Sequence, residues 1–453
     1  MGDVEGTARL VGRPLNETDT TQGGIVSASG SSPRILYVTP YLFHKANGAQ
    51  VRSLSVLRAL QQTATVEVVS LNDQYATDDL ILEPGHELSV AYTFDVERQS
   101  NKGLIESIRR VLDPRSDYPN GRGVGNEAMR KILDVFSEFD LIWFSGLQSA
   151  DMFPNAAWPC SVVDIDDVPS TYQRVSFQVG DGLRERLVAL RRLFAWKRRE
   201  RLLGDRFSVL TVCSEEDRQY LRSMGIRASI DIIPNGFEKP RSEPARSPSI
   251  PPRIGFIGHF SHFPNVDGIH WFVKECWPAI KREVPDARLR VAGPGSDGPL
   301  KPSGPDVEGL GWVANPAEEI KTWSLMVVPI RVGAGTRVKI AQGFSLKCPI
   351  VSTLLGAHGY KARDGNEMYL ADSAQAFSSA CIKAIREPEK AAQMAERAWH
   401  DFLAKWTWDA IGPLVRAAAE DCLRLNPREP MRDRNQPTKS ACSDAGCLRV
   451  GGR

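Results

Sequence analysis

The residues that bear most directly on chemistry lie in RVGAGTRVKIAQGFSLKCPIVST, Arg331 to Thr353. Here the pattern predicts the end of a strand, a glycine-rich loop and the start of a helix. Gly333 and Gly335 let a ligand come close to the backbone, and the helix N-terminus favours negative charge. Arg337 adds a forked donor and Lys339 a point charge, so the segment suits a diphosphate, above all one that gains charge as it leaves. A second loop, HKANGAQVR (His44 to Arg52), falls between a strand and a helix, where Gly48 gives an anion or a sugar room to approach. It lacks the G-x-G-x-x-G spacing of a dinucleotide site. A third cluster, Asp164, Asp166 and Asp167, ends another strand. Its carboxylates suit acid/base or metal chemistry, or equally a helix cap and loop anchor.

Strands and helices must alternate to hold these loops. RILYVTP (Arg34 to Pro40), VEVVSL (Val66 to Leu71), DLIWFS (Asp140 to Ser145), CSVVDID (Cys160 to Asp166) and FSVLTVCS (Phe207 to Ser214) are short β-branched runs with helical segments between them. Such alternation predicts an open parallel sheet. The stretch from Pro84 to Met129 is rich in Gly, Pro, Arg and Asn and holds one helix, GLIESIRRVL, so it is expected as a long excursion from the sheet. A Pro- and Ser-rich segment, KPRSEPARSPSIPP, marks a domain boundary. The plan then repeats, with RIGFIGHF (Arg253 to Phe260), RLRVAGPG (Arg288 to Gly295), LMVVPI (Leu325 to Ile330) and PIVST (Pro349 to Thr353) as strands. The expected fold class is therefore α/β, with two Rossmann-like doubly wound domains facing across a cleft. Aromatic residues in WFVKECW and WTW are expected in core and inter-domain packing.

Composition is that of a globular chain, and a net charge of +2 gives no argument for a nucleic-acid partner. Eight scattered cysteines without zinc-ligand spacing read as reduced thiols. No apolar run is long enough for a membrane span and no signal-like segment opens the chain, which predicts a cytoplasmic protein. Leu183 to Leu203 is helical, with Leu183, Leu187, Leu190, Phe194 and Leu203 on one stripe and eight Arg or Lys residues elsewhere. That helix is either a solvated face or a peripheral contact with the inner membrane face.

Several segments in order resemble group 1, family 4-like retaining glycosyltransferases of the GT-B fold. They are GFIGHFSHFPNVDGIHWFVKECWPAIKREVPDARLRVAG (Gly255 to Gly293), GLGWVANPAEEI (Gly309 to Ile320), VPIRVGAGTRVKIAQGFSLKCPIVSTLLGAHGY (Val328 to Tyr360) and RDGNEMYLADSAQAF (Arg363 to Phe377). In the first half the likeness covers the loop at Gly48, DIDDVPS, Lys197 to Leu221 and IPNG.

The resemblance implies metal-independent transfer of a sugar from a nucleoside-diphosphate sugar, with retention of configuration and no cofactor. Arg337 and Lys339 would grip the diphosphate. Gly48, His259, Asn265, Gly335 and Thr336 would line the donor site, and Trp312 and Val313 would hold the base. Asp164, Asp166 and Gln148 would face an acceptor that is a carbohydrate, lipid-linked or small molecule.

Three positions depart from the pattern. Gln342 replaces a glutamate on the donor ribose, His358 replaces another in GAHGY, and FSGLQS offers Ser145 and Gln148 where many relatives have a histidine. An inactive relative that binds a nucleotide sugar or a glycan as a partner protein is the alternative. The implied organisation is a disordered leader (1–33), an acceptor-side domain (34–236), a linker (237–252) and a nucleotide-sugar domain (253–410). A helix crossing back to the first domain (411–426) and a disordered tail (427–453) complete it.

Overall fold

The computed structural model describes residues 32–40, 48–72, 90–98, 109, 112–118, 121–125, 129, 133–179, 182–333 and 335–426. The expected leader up to residue 31, the loop 41–47, most of GLIESIRRVL and the tail from 427, with Cys442 and Cys447, lie outside the described residues.

The β-branched runs of the first half form β1 (Arg34–Thr39), β2 (Thr65–Asn72), β3 (Val90–Arg98), β4 (Arg122–Val124), β5 (Leu141–Ser145), β6 (Trp158–Ile165), β7 (Phe207–Val212) and β8 (Ser229–Ile232). They make one sheet in the order β4-β3-β2-β1-β5-β6-β7-β8. Every neighbouring pair is parallel except β3–β4. The second half supplies β9 (Arg253–Ile257), β10 (Arg288–Ala292), β11 (Val307–Gly311), β12 (Leu325–Val328), β13 (Ile350–Ser352) and β14 (Tyr369–Leu370). These are parallel throughout, in the order β11-β10-β9-β12-β13-β14.

Strand order reverses between β1 and β5 in one sheet and between β9 and β12 in the other. A doubly wound sheet opens a crevice at that reversal, beyond the carboxyl ends of its strands. The segments that follow β5, β9 and β12, and the start of the helix Gly48–Gln61 after β1, stand at these reversals.

One expectation needs correction. The stretch from Pro84 to Met129 is not an excursion beyond the sheet edge, because β3 and β4 lie within it and extend the sheet. Glu97 and Arg98 end β3 with polar residues next to the short edge strand β4, which hides its period. The Pro- and Ser-rich segment is held along the second half. Ser247 and Ser249 donate backbone N–H bonds of 3.1 and 2.9 Å to the carbonyls of Lys321 and Thr322, and Arg246 donates to the carbonyls of Ile320 and Trp323.

Helix Trp408–Leu425 buries Ile411, Val415, Ala418 and Cys422 among Ile35, Tyr37, Leu57, Val162 and Val209 of the first half. Burial of Ile411 and Val415 contributes about 1.5–3 kcal/mol each to fastening the C-terminal segment there. Trp406 and Trp277 are buried, as expected of those aromatic segments. Helix Leu183–Glu200 packs inward through Ala189 and Leu193, while Arg199 and Arg206 reach the buried Asp151 at 3.7 and 3.2 Å. Of the stripe read from its sequence, Leu183, Leu187 and Phe194 are exposed and Leu190 is half-buried, but the helix ends at Glu200 and Leu203 is buried at the start of a separate short helix, Leu203–Arg206.

Candidate functional site

The second-half wall is built on the loop after β12. Gly335 has φ 71° and a side chain there would run into the Asp167 carboxylate, so the close approach demands glycine. Helix Val338–Ser345 starts directly after Arg337. Tyr360 braces that start, its hydroxyl donating to the Arg337 carbonyl (2.8 Å) and accepting from the Ala341 N–H (3.3 Å). Lys339 Nζ donates to Asn265 Oδ1 at 2.8 Å and stands 4.2 Å over the Phe256 ring. Asn265 in turn donates to the His259 carbonyl at 3.0 Å, which ties the loop after β9 to the one after β12.

Arg337 and Lys339 are both half-buried. Surrounding protein and the Arg337 charge hold the Lys339 ammonium well below its ordinary pKa. Arg337 is itself lowered by desolvation, against the pull of Asp167 and Asp166. His262, at the start of helix Phe263–Trp271, is pushed down to about 4 by the protein around it and by Arg337, Lys339 and His259. It is neutral at pH 7 and able to accept a hydrogen bond. Thr336 Oγ1 is buried without a hydrogen-bond partner among the described residues. This wall gathers two cations, a buried hydroxyl and a helix start, groups that are able to hold an anion.

The first-half wall is acidic. A cavity of about 510 Å³ is lined by Arg52, Gln148, Asp164, Asp166, Asp167 and Trp196, among others. Asp164 is committed to structure: Arg52 donates to its two oxygens at 2.9 and 2.6 Å, and Thr211 donates to it as well. Burial alone would lower the Arg52 pKa, but Asp164 and its other anionic neighbours outweigh it and raise the value. Arg52 also donates to Asn235 (3.1 Å), which passes a 2.6 Å bond on to Asp166. Asp167 opens into the cleft, yet desolvation and the adjacent Asp166 push its pKa up to about 7. Gln148 is exposed on the turn Leu147–Ala150.

The two walls meet at His358. Its Nε2 lies 3.1 Å from Ser214 Oγ and 3.4 Å from Asp217 Oδ2, and the Asp217 hydrogen bond raises its pKa despite burial. The residues expected at the donor side thus divide. Asn265, His259, Lys339, Arg337, Gly335 and Thr336 form one cluster, and His358 joins the halves. Gly48 opens helix Gly48–Gln61 on the opposite wall. Gln342 is half-buried one turn beyond Lys339. Trp312 (72% exposed) and Val313 follow β11, and no hydrogen bond among the described residues ties their side chains to the cluster.

Sequence reasoning missed His262, Tyr360 and Arg52. The first lies three residues after His259 in the same loop, a signal that was present. The other two act across 23 and 112 residues, where no local pattern reaches. No group of three or more His, Cys, Asp or Glu side chains able to hold a metal ion occurs among the described residues. No described helix is long and apolar enough to cross a membrane.

Residues 251–387 match the family model described as "Glycosyl transferases group 1", which spans both loops of the cationic wall. No curated protein sequence matches the chain. Among solved structures it resembles sucrose-phosphate synthase from Thermosynechococcus elongatus, with a TM-score of 0.61 at 15% identity over 86% of this chain and 99% of that one. Anabaena HepE in complex with UDP-glucose aligns with a TM-score of 0.56 at 14% identity, over 86% and 99% of the two chains. WaaG, a glycosyltransferase involved in lipopolysaccharide biosynthesis, aligns at 0.55 and 13%, over 85% and 98%. The architecture is the two-domain GT-B fold.

Proposed function

We propose that the protein is a glycosyltransferase that moves a sugar from a nucleoside-diphosphate sugar to an acceptor hydroxyl. One observation carries the reading: two like-charged side chains, Arg337 and Lys339, stand half-buried together beside a glycine loop at a helix start. Such a pair costs free energy by itself and recovers it when a diphosphate binds. The group 1 match over this region and the UDP-glucose bound by HepE support the same donor class.

In this reading Arg337 and Lys339 hold the diphosphate and stabilise the charge that grows on it as the bond from the anomeric carbon breaks. Thr336, Gly335 and the His259–Asn265 loop line the same site. Asn265 positions Lys339, Gln342 faces the donor ribose without a charge, and Trp312 with Val313 receives the base. Gly48 lets the donor approach from the facing wall. The acceptor lies against Asp166, Gln148 and Trp196, with Asp164 fixing the wall through Arg52. Transfer proceeds with retention and without a metal: the acceptor hydroxyl attacks on the leaving-group face, and the departing phosphate takes its proton. No separate base is then needed. The protein works in the cytoplasm.

The test is incubation with UDP-, GDP-, ADP- and TDP-sugars and candidate acceptors, followed by the anomeric configuration of the product. One donor should yield a product with retained configuration. Donor binding without transfer to any acceptor class would point instead to a partner protein, and an inverted product would remove the mechanism.

A further inference from the structure

The outward face of helix Leu183–Glu200 is unlike a solvated surface. Leu183 is 76% exposed, Leu187 56% and Phe194 60%, and Leu190 lies between them, half-buried. At 3.6 residues per turn these four side chains fall within an arc of about 60°. Arg184, Arg191 and Arg198 run along one flank of that arc, and Arg186 and Lys197 along the other. Glu185 is the sole exposed acid of the helix. The helix owes its place in the fold to a different side, through Ala189, Leu193 and Glu200, whose carboxylate accepts from the Ser170 N–H at 2.8 Å.

We infer that this helix docks the protein on an anionic lipid surface. A single file of Leu and Phe, edged by cationic side chains on both flanks, matches the boundary of a bilayer. The apolar stripe enters among the upper acyl chains, while the guanidinium groups reach back to lipid phosphates. Each cation near such a surface strengthens binding severalfold, and the apolar stripe makes it persist when salt screens the charges. Trp196, on the inner side of the same helix, lines the acidic cavity. The inference rests on this surface and not on the assignment of sugar transfer.

The experiment is co-sedimentation of the full chain with vesicles of phosphatidylcholine alone and of phosphatidylcholine mixed with phosphatidylglycerol. The protein should pellet with the mixed vesicles, stay largely in solution with the neutral ones, and be only partly released by high salt. Leu187→Ser with Phe194→Ser should weaken partition by roughly tenfold or more. Arg191→Gln with Arg198→Gln should weaken it by about tenfold. Both pairs should keep the wild-type melting temperature because the positions are exposed. Absence of binding to mixed vesicles, or unchanged partition of both double variants, overturns the inference. Self-association that the Leu187→Ser, Phe194→Ser pair abolishes, without vesicle binding, would make the stripe a protein interface and overturn it as well.

Discussion

The two walls of the cleft reach electrostatic balance in different ways. On the first-half wall, Asp164 has its bidentate Arg52 and a threonine donor, and Asp166 accepts from Asn235, so these two carboxylates are satisfied within the wall, while Asp167 opens into the cleft and acts on Arg337 across it. On the second-half wall, burial and the Arg337 charge hold Lys339 well below its ordinary pKa, burial lowers Arg337 against the pull of Asp167 and Asp166, and the Lys339 ammonium has a neutral amide and an aromatic face as neighbours. A wall balanced internally holds its shape. A wall with clustered cations stores a preference for an anion, as a site for a diphosphate requires.

The sharpest way to break this contrast is to remove one member of each cluster. Asp164→Ala leaves a buried Arg52 without its carboxylate, and should cost about 3–5 kcal/mol of stability, read from denaturant unfolding. Pairing it with Arg52→Met should recover part of the loss. Arg337→Ala should behave in the opposite way, leaving stability near wild type while lowering turnover by roughly 10²–10³-fold, seen in initial rates at saturating donor. A destabilised Arg337→Ala protein would mean that the cation serves the fold. Lys339→Met sharpens the point: it removes a charge held well below its normal pKa, so the melting temperature should stay equal or rise while donor affinity falls.

The loops that bear this contrast are partly legible in the amino-acid sequence. Strand, glycine loop and cationic helix start can be read from Arg331 to Thr353 because they are consecutive, and the doubled α/β alternation follows from apolar runs of strand length. What escapes is non-local or directional. Arg52 and Asp164 are 112 residues apart, and Asp217 and His358 are 141 apart, so neither pair leaves a periodic trace. The stripe on Leu183–Glu200 is visible, but periodicity identifies an apolar face without saying which way it points. Strand β3 and the edge strand β4 mix polar with apolar residues and merge with their surroundings.

The smallest expected effect concerns the junction of the walls. His358 has a folded-state pKa above the ordinary value of about 6.5 because Asp217 favours its charged form. Its contribution to stability is therefore complete below about pH 6.5 and is lost as pH rises through the raised value. Thermal melting across that range should show the wild type losing stability relative to His358→Phe. Parallel profiles would mean that the imidazole does not hold the halves together.

The central claim is that the Arg337–Lys339 pair is an anion site for a nucleotide sugar. Its most direct test is thermal stabilisation of the purified chain by UDP-, GDP-, ADP- and TDP-sugars, beside Arg337→Ala. A donor at 100 times its dissociation constant should add about 2.7 kcal/mol to the wild type, and little to the variant at the same concentration. No stabilisation by any donor, or equal stabilisation of both proteins, would contradict the account.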